Sequence, residues 1–259
     1  MTDADPIRRA PPPFHEVEVR ATEALTPRMQ RVTLAGAGLL GFRVDGPGAS
    51  VRLLLRRDGE LELPEWTGNE FRYVDGARPP IRTLTPLRPD PSAATLDVEV
   101  VIHPEAAGPL SAWARATEPG DTVALSGPGR GYPVDPECRR YLVAGDESAL
   151  PAVGQLLEVL PSEASVDVVV EISDPKAQLE LPDHPGAAVD WRVLPDGARP
   201  GDALVDAVTA RSVDPDARVW AAGEAAAVQR IRKHLEATGL PRPRTTVRGY
   251  WKLGRAVGG

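Results

Sequence analysis

Two segments of this chain end an apolar run in glycine followed at once by an acidic residue. They are Val143-Ala144-Gly145-Asp146-Glu147-Ser148 and Ala221-Ala222-Gly223-Glu224-Ala225. A helical pattern starts directly after each. Glycine lets a ligand approach the backbone closely, and a helix N-terminus offers unpaired N–H groups and a positive dipole end to a phosphate. Acidic residues are equally favoured in a helix's first turn with no ligand, and the first turn lacks the full glycine-rich dinucleotide fingerprint. A second group comprises Arg82-Thr83-Leu84-Thr85 with Arg88 beyond it, then His103, then Gly108-Pro109-Leu110-Ser111-Ala112-Trp113. An arginine near a strand end can hold a phosphate through two parallel hydrogen bonds, and Gly108, Pro109 and Ser111 open a short helix, again an anion-binding position. Taken alone, Arg82 and Arg88 also read as solvated strand residues and Ser111 as a helix cap. No catalytic triad or metal-binding motif is recognisable. The single Cys138 excludes an internal disulfide and a cysteine-based metal site.

The elements that must position these groups change character near Asp135. Before it, apolar residues alternate in Glu16–Arg20, in Arg31–Leu34, at Val51, Leu53 and Leu55, and at Leu96, Val98, Val100 and Ile102, the period of a strand with one buried face. Gly36, Gly38, Gly46-Pro47 and Pro89-Asp90-Pro91 read as turns between them. Short strands with such turns predict an antiparallel β-barrel, interrupted by one helix at about 110–117 and closed by a strand at 122–125. After Asp135 come a buried strand at 141–144, a helix with Leu150, Val153, Leu157 and Leu160 on one side, and buried strands at 166–172 and 189–194. A helix at 202–211, a strand at 218–222, a helix carrying Val228, Ile231 and Leu235, and a last strand at 245–251 follow. Strands alternating with helices predict a parallel sheet with right-handed crossovers. The expected organisation is a flexible proline-rich tail at 1–13, a β-barrel domain at 14–135 and an α/β domain at 136–259.

Composition narrows the function classes. The 259 residues are 42% hydrophobic and 26% charged, with a net charge of −7, an ordinary globular balance. The acidic excess argues against nucleic acid as the main partner. No apolar run approaches the roughly 20 residues that span a bilayer. Met1–Pro13 lacks the apolar stretch of a signal peptide, so a cytoplasmic protein without membrane insertion is expected.

The ordered set of segments resembles the siderophore-interacting protein family, flavin-dependent ferric-siderophore reductases of the ferredoxin–NADP reductase superfamily. The resemblance rests on Arg31–Leu34, Arg82–Thr85, Leu96–Glu99 with His103, Gly108–Ala114, Pro119-Gly120-Asp121, Gly127-Pro128-Gly129, Ala144–Pro151, Trp220–Glu224 and Gly249–Gly254. These run in family order from about Phe14 to Gly254; the Ala-Gly-Asp-Glu block and the Gly-Tyr-Trp ending are together the specific ones. The resemblance implies an FAD-binding barrel followed by an NAD(P)H-binding domain. Arg82 and Thr85, with Thr83 and Leu84 between them, would contact the flavin and its phosphates. His103, Gly108, Pro109, Ser111 and Trp113 would complete the FAD side. Gly145, Asp146, Glu147, Ser148, Gly223 and Glu224 would receive the nicotinamide nucleotide, and Tyr250 and Trp251 would lie near the flavin edge. A basic pocket for a ferric siderophore would draw on Arg52, Arg130, Arg248 and Lys252.

This chain departs from the family pattern in places. Leu84 stands where tyrosine is usual, so weaker flavin binding or an altered potential is expected. Leu87 stands where arginine is common, Pro104–Ala107 lengthen a loop, and Gly129-Arg130 reverses the usual order. The implied activity is electron transfer from NADH or NADPH through FAD to Fe(III) in a siderophore. Glu171 and Asp174 beside the single basic Lys176 favour NADH, because a 2′-phosphate needs cationic partners. The alternatives are a flavin or electron-transfer reductase of the same superfamily and a non-catalytic siderophore or flavin carrier.

Overall fold

The computed structural model describes residues 10–56, 60–73, 76, 78–103 and 108–254. Residues 1–9 of the expected tail and the inserted Pro104–Ala107 lie outside the described residues.

The N-terminal half builds one antiparallel sheet from β1 (Phe14–Thr26), β2 (Met29–Ala35), β3 (Val51–Leu54), β6 (Ile81–Leu84), β7 (Leu87–Asp90), β8 (Thr95–Val101) and β9 (Thr122–Ser126), with a small hairpin of β4 (Glu65–Trp66) and β5 (Phe71–Arg72) outside it. The strand order is β6-β3-β9-β1-β2-β8-β7. The two edge strands, β6 and β7, are joined through Thr85 and Pro86 alone, and a link that short spans at most about 10 Å. The sheet therefore curls until its edges meet, giving the barrel-like form. Its inside is the alternating set that the pattern predicted: Val17, Val19, Val32, Leu34, Val51, Leu53, Leu96, Val98, Val123 and Leu125 are buried together. The helix α1 (Pro109–Ala116) places Leu110 and Trp113 against the same core, beside Leu84.

Pro89 was expected in a turn, but it lies within β7. The strand is the sheet's edge, where a residue without an N–H costs no ladder bond. Arg88 there has φ 42° and pairs with Asp97 at 2.8 Å, and Leu87 is buried.

The C-terminal half is a parallel sheet of β10 (Arg140–Asp146), β11 (Ser165–Ile172), β12 (Ala187–Val193), β13 (Arg218–Glu224) and β14 (Thr245–Trp251), in the order β12-β11-β10-β13-β14. The helix α2 (Leu150–Val159) covers one face; α3 (Asp202–Thr209) and α4 (Ala225–Ala237) cover the other. Burial on both faces explains the continuous apolar runs Tyr141–Ala144 and Val168–Val170. The chain order reverses between β10 and β13, which makes the crevice beyond their carboxyl ends the expected ligand position of such a sheet.

Glu171, near the end of β11, is buried and turned into the start of α3, where it accepts N–H bonds from Gly201 at 2.6 Å and Leu204 at 2.9 Å. It satisfies main-chain donors that the helix leaves unpaired. Burial raises its carboxyl above the ordinary value while these donors pull the other way. The expected role of Glu171 in repelling a nucleotide phosphate is thereby corrected. Replacing Glu171 with Ala strands two buried N–H groups and is expected to cost about 2–4 kcal/mol; Glu171→Gln should cost roughly half as much. Urea unfolding of the three proteins measures both.

Candidate functional site

The last strand of the sheet draws the predicted residues together. Trp251, at the end of β14, donates its indole N–H to Asp146 Oδ2 at 2.7 Å. The same oxygen accepts the Glu224 N–H at 2.9 Å, while Oδ1 takes the Ser148 N–H at 2.9 Å and the Ser148 hydroxyl at 2.5 Å. Four donors fill the acceptor capacity of one buried carboxylate, so Asp146 ties the ends of β10, β13 and β14 to one point. Burial pushes its carboxyl up from the ordinary value, against the pull of these bonds. Tyr250, the residue before Trp251, lies beside Thr85, which follows β6, and stands edge-on to buried Trp220 at 6.3 Å. His103 lies 6.4 Å from Trp251, ring to ring, and its main-chain N–H donates to Ser111 Oγ at 3.0 Å. Desolvation first and Arg28 next lower the His103 imidazole below its ordinary value, which leaves it neutral at pH 7.

Thr85, His103, Ser111, Asp146, Glu147, Ser148, Gly223, Glu224, Tyr250 and Trp251 thus form one connected seam between the two sheets. The reason for the glycines differs from the expectation. A side chain at Gly145 would meet Ala149 Cβ at 2.6 Å, and one at Gly223, where φ is +151°, would meet Asp146 Oδ2 at 2.6 Å. On the side where each glycine lacks a Cβ, the close neighbour is the protein itself. The acidic residues are likewise turned inward. Glu224 caps α4 by accepting the N–H groups of Ala226 and Ala227, and Glu147 accepts the N–H and hydroxyl of Ser173. The start of α4 is therefore not the free anion site that its sequence suggested.

The barrel side is different. Arg82, on β6 opposite Leu53, is half-buried and has no carboxylate partner among the described residues; its Nη1 donates to the Ile81 carbonyl at 2.9 Å. Desolvation lowers its pKa. The helix α1 has no side-chain cap at Gly108, Pro109 in its first turn and no acid there. A desolvated cation awaiting an anion and an uncapped helix start fit the phosphates of an FAD. Leu84 pairs with Val51 across the ladder and packs on the barrel core beside Leu110 and Trp113, while Thr83 lies opposite Arg52 and is exposed.

Three of the four basic residues assigned to a substrate pocket bear on one loop, Ser126–Gly131. Arg52 donates to Ser126 Oγ at 2.8 Å and lies over the rings of Phe14 at 5.1 Å and Phe71 at 5.5 Å. Arg130 lies in the loop and is exposed, and Arg248 donates to the carbonyls of Gly48 at 2.8 Å and Gly131 at 3.5 Å. Lys252 is exposed just beyond Trp251, apart from that group. Arg248 is spent on bridging the sheets.

Two residues of the seam carry no mark in the sequence. Arg28, in the turn between β1 and β2, pairs with Glu147 at 3.0 Å, the two side chains 15% and 8% exposed. Gln155 on α2 accepts the Gly48 N–H at 2.9 Å and donates to the Pro86 carbonyl at 2.8 Å. Neither has a local signal, because each partner is remote in the chain.

Comparison with known proteins bears on both halves. Residues 18–132 match the model of the siderophore-interacting FAD-binding domain, and residues 138–254 match that of the siderophore-interacting protein. The NADPH-dependent ferric-chelate reductase of Escherichia coli is 31% identical over 92% of this chain and 92% of its own length. The ferric vibriobactin reductase of Vibrio cholerae is 29% identical over 87% and 84%. A solved siderophore utilization protein from T. fusca is 34% identical, with a TM-score of 0.84 over 96% of each chain.

The Arg28–Glu147 pair should hold the two sheets in register. Glu147→Ala leaves a shielded guanidinium and the Ser173 donors unpaired and is expected to cost about 2–4 kcal/mol. The Arg28→Ala, Glu147→Ala double variant should cost less than the sum of the two single changes, as read from denaturant midpoints.

Proposed function

The chain belongs to the siderophore-interacting protein family, and on that premise we propose that it is a reductase that carries electrons from a nicotinamide nucleotide through FAD to Fe(III) held by a siderophore. The observation that supports this reading most directly is the seam at the end of β14: Tyr250 beside Thr85, and Trp251 between Asp146 and His103. It sets the carboxyl ends of the parallel strands against the Arg82–Thr85 segment of an FAD-binding domain, as transfer between a donor on one side and a flavin on the other requires.

Bound FAD would supply acceptance of two electrons from the nicotinamide and their release one at a time to iron. The chain's own residues supply position and field. Arg82 and the first turn of α1 would hold the phosphates, with Thr85 and Leu84 along the ring and His103 neutral beside it. Leucine at Leu84 covers a ring by van der Waals contact, without the stacking of an aromatic face. Glycine packing and Asp146 fix the ends of β10 and β13, so the nucleotide would meet a rigid floor. Arg52 and Arg130 would draw an anionic ferric chelate towards an otherwise acidic protein. Reduction releases the metal because Fe(II), carrying less charge, is held less tightly by hard oxygen ligands.

The donor is taken as NADPH first. The E. coli relative is named for it, and the charge argument for NADH lapses with Glu171 capping α3 and Asp174 accepting the Lys176 N–H. A nicotinamide donor makes the cytoplasm the compartment of this reading. No helix among the described residues is long and apolar enough to cross a membrane.

The test is spectroscopic. The purified chain, incubated with FAD, should take up the flavin absorbance, bleach with NADPH without oxygen, and recolour on adding a ferric siderophore as a ferrous-specific dye develops. A chain that stays colourless after FAD ends the reading, flavin uptake without bleaching favours a non-catalytic carrier, and bleaching without iron reduction favours a reductase of another acceptor. Arg82→Ala should weaken FAD binding by roughly 10- to 100-fold, the cost of a lost charged hydrogen bond. Leu84→Tyr should tighten it several-fold, on the order of one aromatic stacking contact. Both are read by flavin fluorescence titration.

A further inference from the structure

The parallel sheet stops on one side at β12, and the parity of its ladder identifies the groups left over. Val166 donates its N–H to the Gly186 carbonyl, and Leu194 donates to the Ile172 carbonyl, with Val166 opposite Ala187 and Ile172 opposite Val193. In a parallel ladder both main-chain groups of a residue point to the same side. Ala188, Asp190 and Arg192 therefore face β11, and Val189, Trp191 and Val193 face outward. Among the described residues, those outward groups have no main-chain partner.

Natural edge strands are blunted by proline, by charged side chains, lysine above all, by a bulge or by a covering element; the charges of β12, Asp190 and Arg192, are paired with each other. The run Ala187–Val193 has no proline or lysine, and its pairing with β11 runs without a register shift. It also exposes Val189 and Val193 at 40% and 45%.

We propose that β12 is where two copies of this chain pair edge to edge, antiparallel, about a two-fold axis at Trp191. Hydrogen bonding requires outward residues to meet outward residues, which puts the axis at a residue and not between two, and the charges select which residue. An axis at Asp190 or Arg192 keeps that pairing but sets Asp190 against Asp190, or Arg192 against Arg192, of the second copy, and like charges directly opposite repel. An axis at Trp191 sets Trp191 opposite Trp191 and Val189 opposite Val193 of the second copy as hydrogen-bonded pairs, for about six ladder bonds. The intervening pairs, whose Cα atoms approach to about 4.5 Å, then set each Asp190 opposite Arg192 of the second copy. Within one chain Asp190 already holds Arg192 at 2.7 Å and also pairs with Arg211. The four charges of the two strands would therefore alternate around a square, each acid flanked by two bases. An axis at Val189 sets Asp190 against Ala188, and one at Val193 sets Trp191 against Pro195; both lose the charge match. The paired edges would join the two five-stranded sheets into one. Because β12 is the edge opposite β14, the seam at Trp251 stays open in the dimer.

The test uses the full chain in sedimentation velocity over rising concentration, with hydrogen exchange read residue by residue. The unaltered chain should dimerise reversibly, and the amides of Val189, Trp191 and Val193 should gain protection as it does. Val189→Lys and Arg192→Asp should each weaken the dimer at least about tenfold, since the change occurs twice across the axis. Asp190→Arg should do the same alone, and mixing it with Arg192→Asp should restore a heterodimer in which every facing pair is again opposite in sign. A chain that remains monomeric at about 100 μM, a dimer indifferent to Val189→Lys and Arg192→Asp, or outward amides that exchange equally fast dilute and concentrated would each overturn the proposal. The exchange measurement uses the unaltered chain, so it decides the matter even where a substitution fails to fold.

Discussion

A single buried carboxylate that accepts four hydrogen bonds organises the functional end of this protein. Asp146 takes donors from Ser148, Glu224 and Trp251, and so joins three neighbouring strands, of which β10 and β13 are far apart in the chain. A charge removed from water is costly unless fully compensated. Every donor it recruits is thus held in place by the penalty for leaving it. Gly223 belongs to the same arrangement, because any side chain there would occupy the position of the carboxylate. The floor of the crevice is rigid for an electrostatic reason.

The proposed electron transfer would need the holders of its two ligands to keep a fixed separation, and the contacts across the seam tie the two sheets together. Arg28–Glu147, Arg248 on the Gly48 and Gly131 carbonyls, and Gln155 between Gly48 and Pro86 cross from one sheet to the other. They are polar and directional, and they add to the apolar contact that Leu25, Met29 and Val101 of the first sheet make with the core of the second. Directional bonds specify one relative placement; apolar burial would tolerate sliding. The exception within the seam is the indole N–H of Trp220, fully buried and without a hydrogen-bond partner among the described residues, with Tyr250 edge-on beside it.

The contrast between acids turned inward and the solitary Arg82 carries the assignment of ligand positions. Asp146, Glu147, Glu171 and Glu224 are all buried, and all serve main-chain or side-chain donors of the protein itself. Arg82 has given up part of its hydration without gaining a carboxylate among the described residues, a state that an incoming phosphate relieves. On the proposed reading, the phosphates of FAD would be held on the barrel side.

Alternation at Val17, Val19, Val32, Leu34, Leu96 and Val98, and continuous burial at Tyr141–Ala144, were readable from the sequence, because period and burial are local consequences of which faces are covered. So were the helix faces of Val228, Ile231 and Leu235, and the ordered motifs that pointed to an FAD-binding family. The roles of Glu147, Glu171 and Glu224 were not readable, since an acid after a strand looks the same whether it meets a ligand or caps a helix. Pro89 read as a turn because nothing local marks an edge strand. Arg28 and Gln155 had no signal at all; their partners lie far off in the chain and meet them only once the two sheets have docked. What the sequence alone determined was the kind of each element and the family of the whole. Which polar groups face a ligand and which face the protein was decided by the tertiary structure, because hydrogen bonding in a buried place depends on who arrives there, and chain separation carries no record of that.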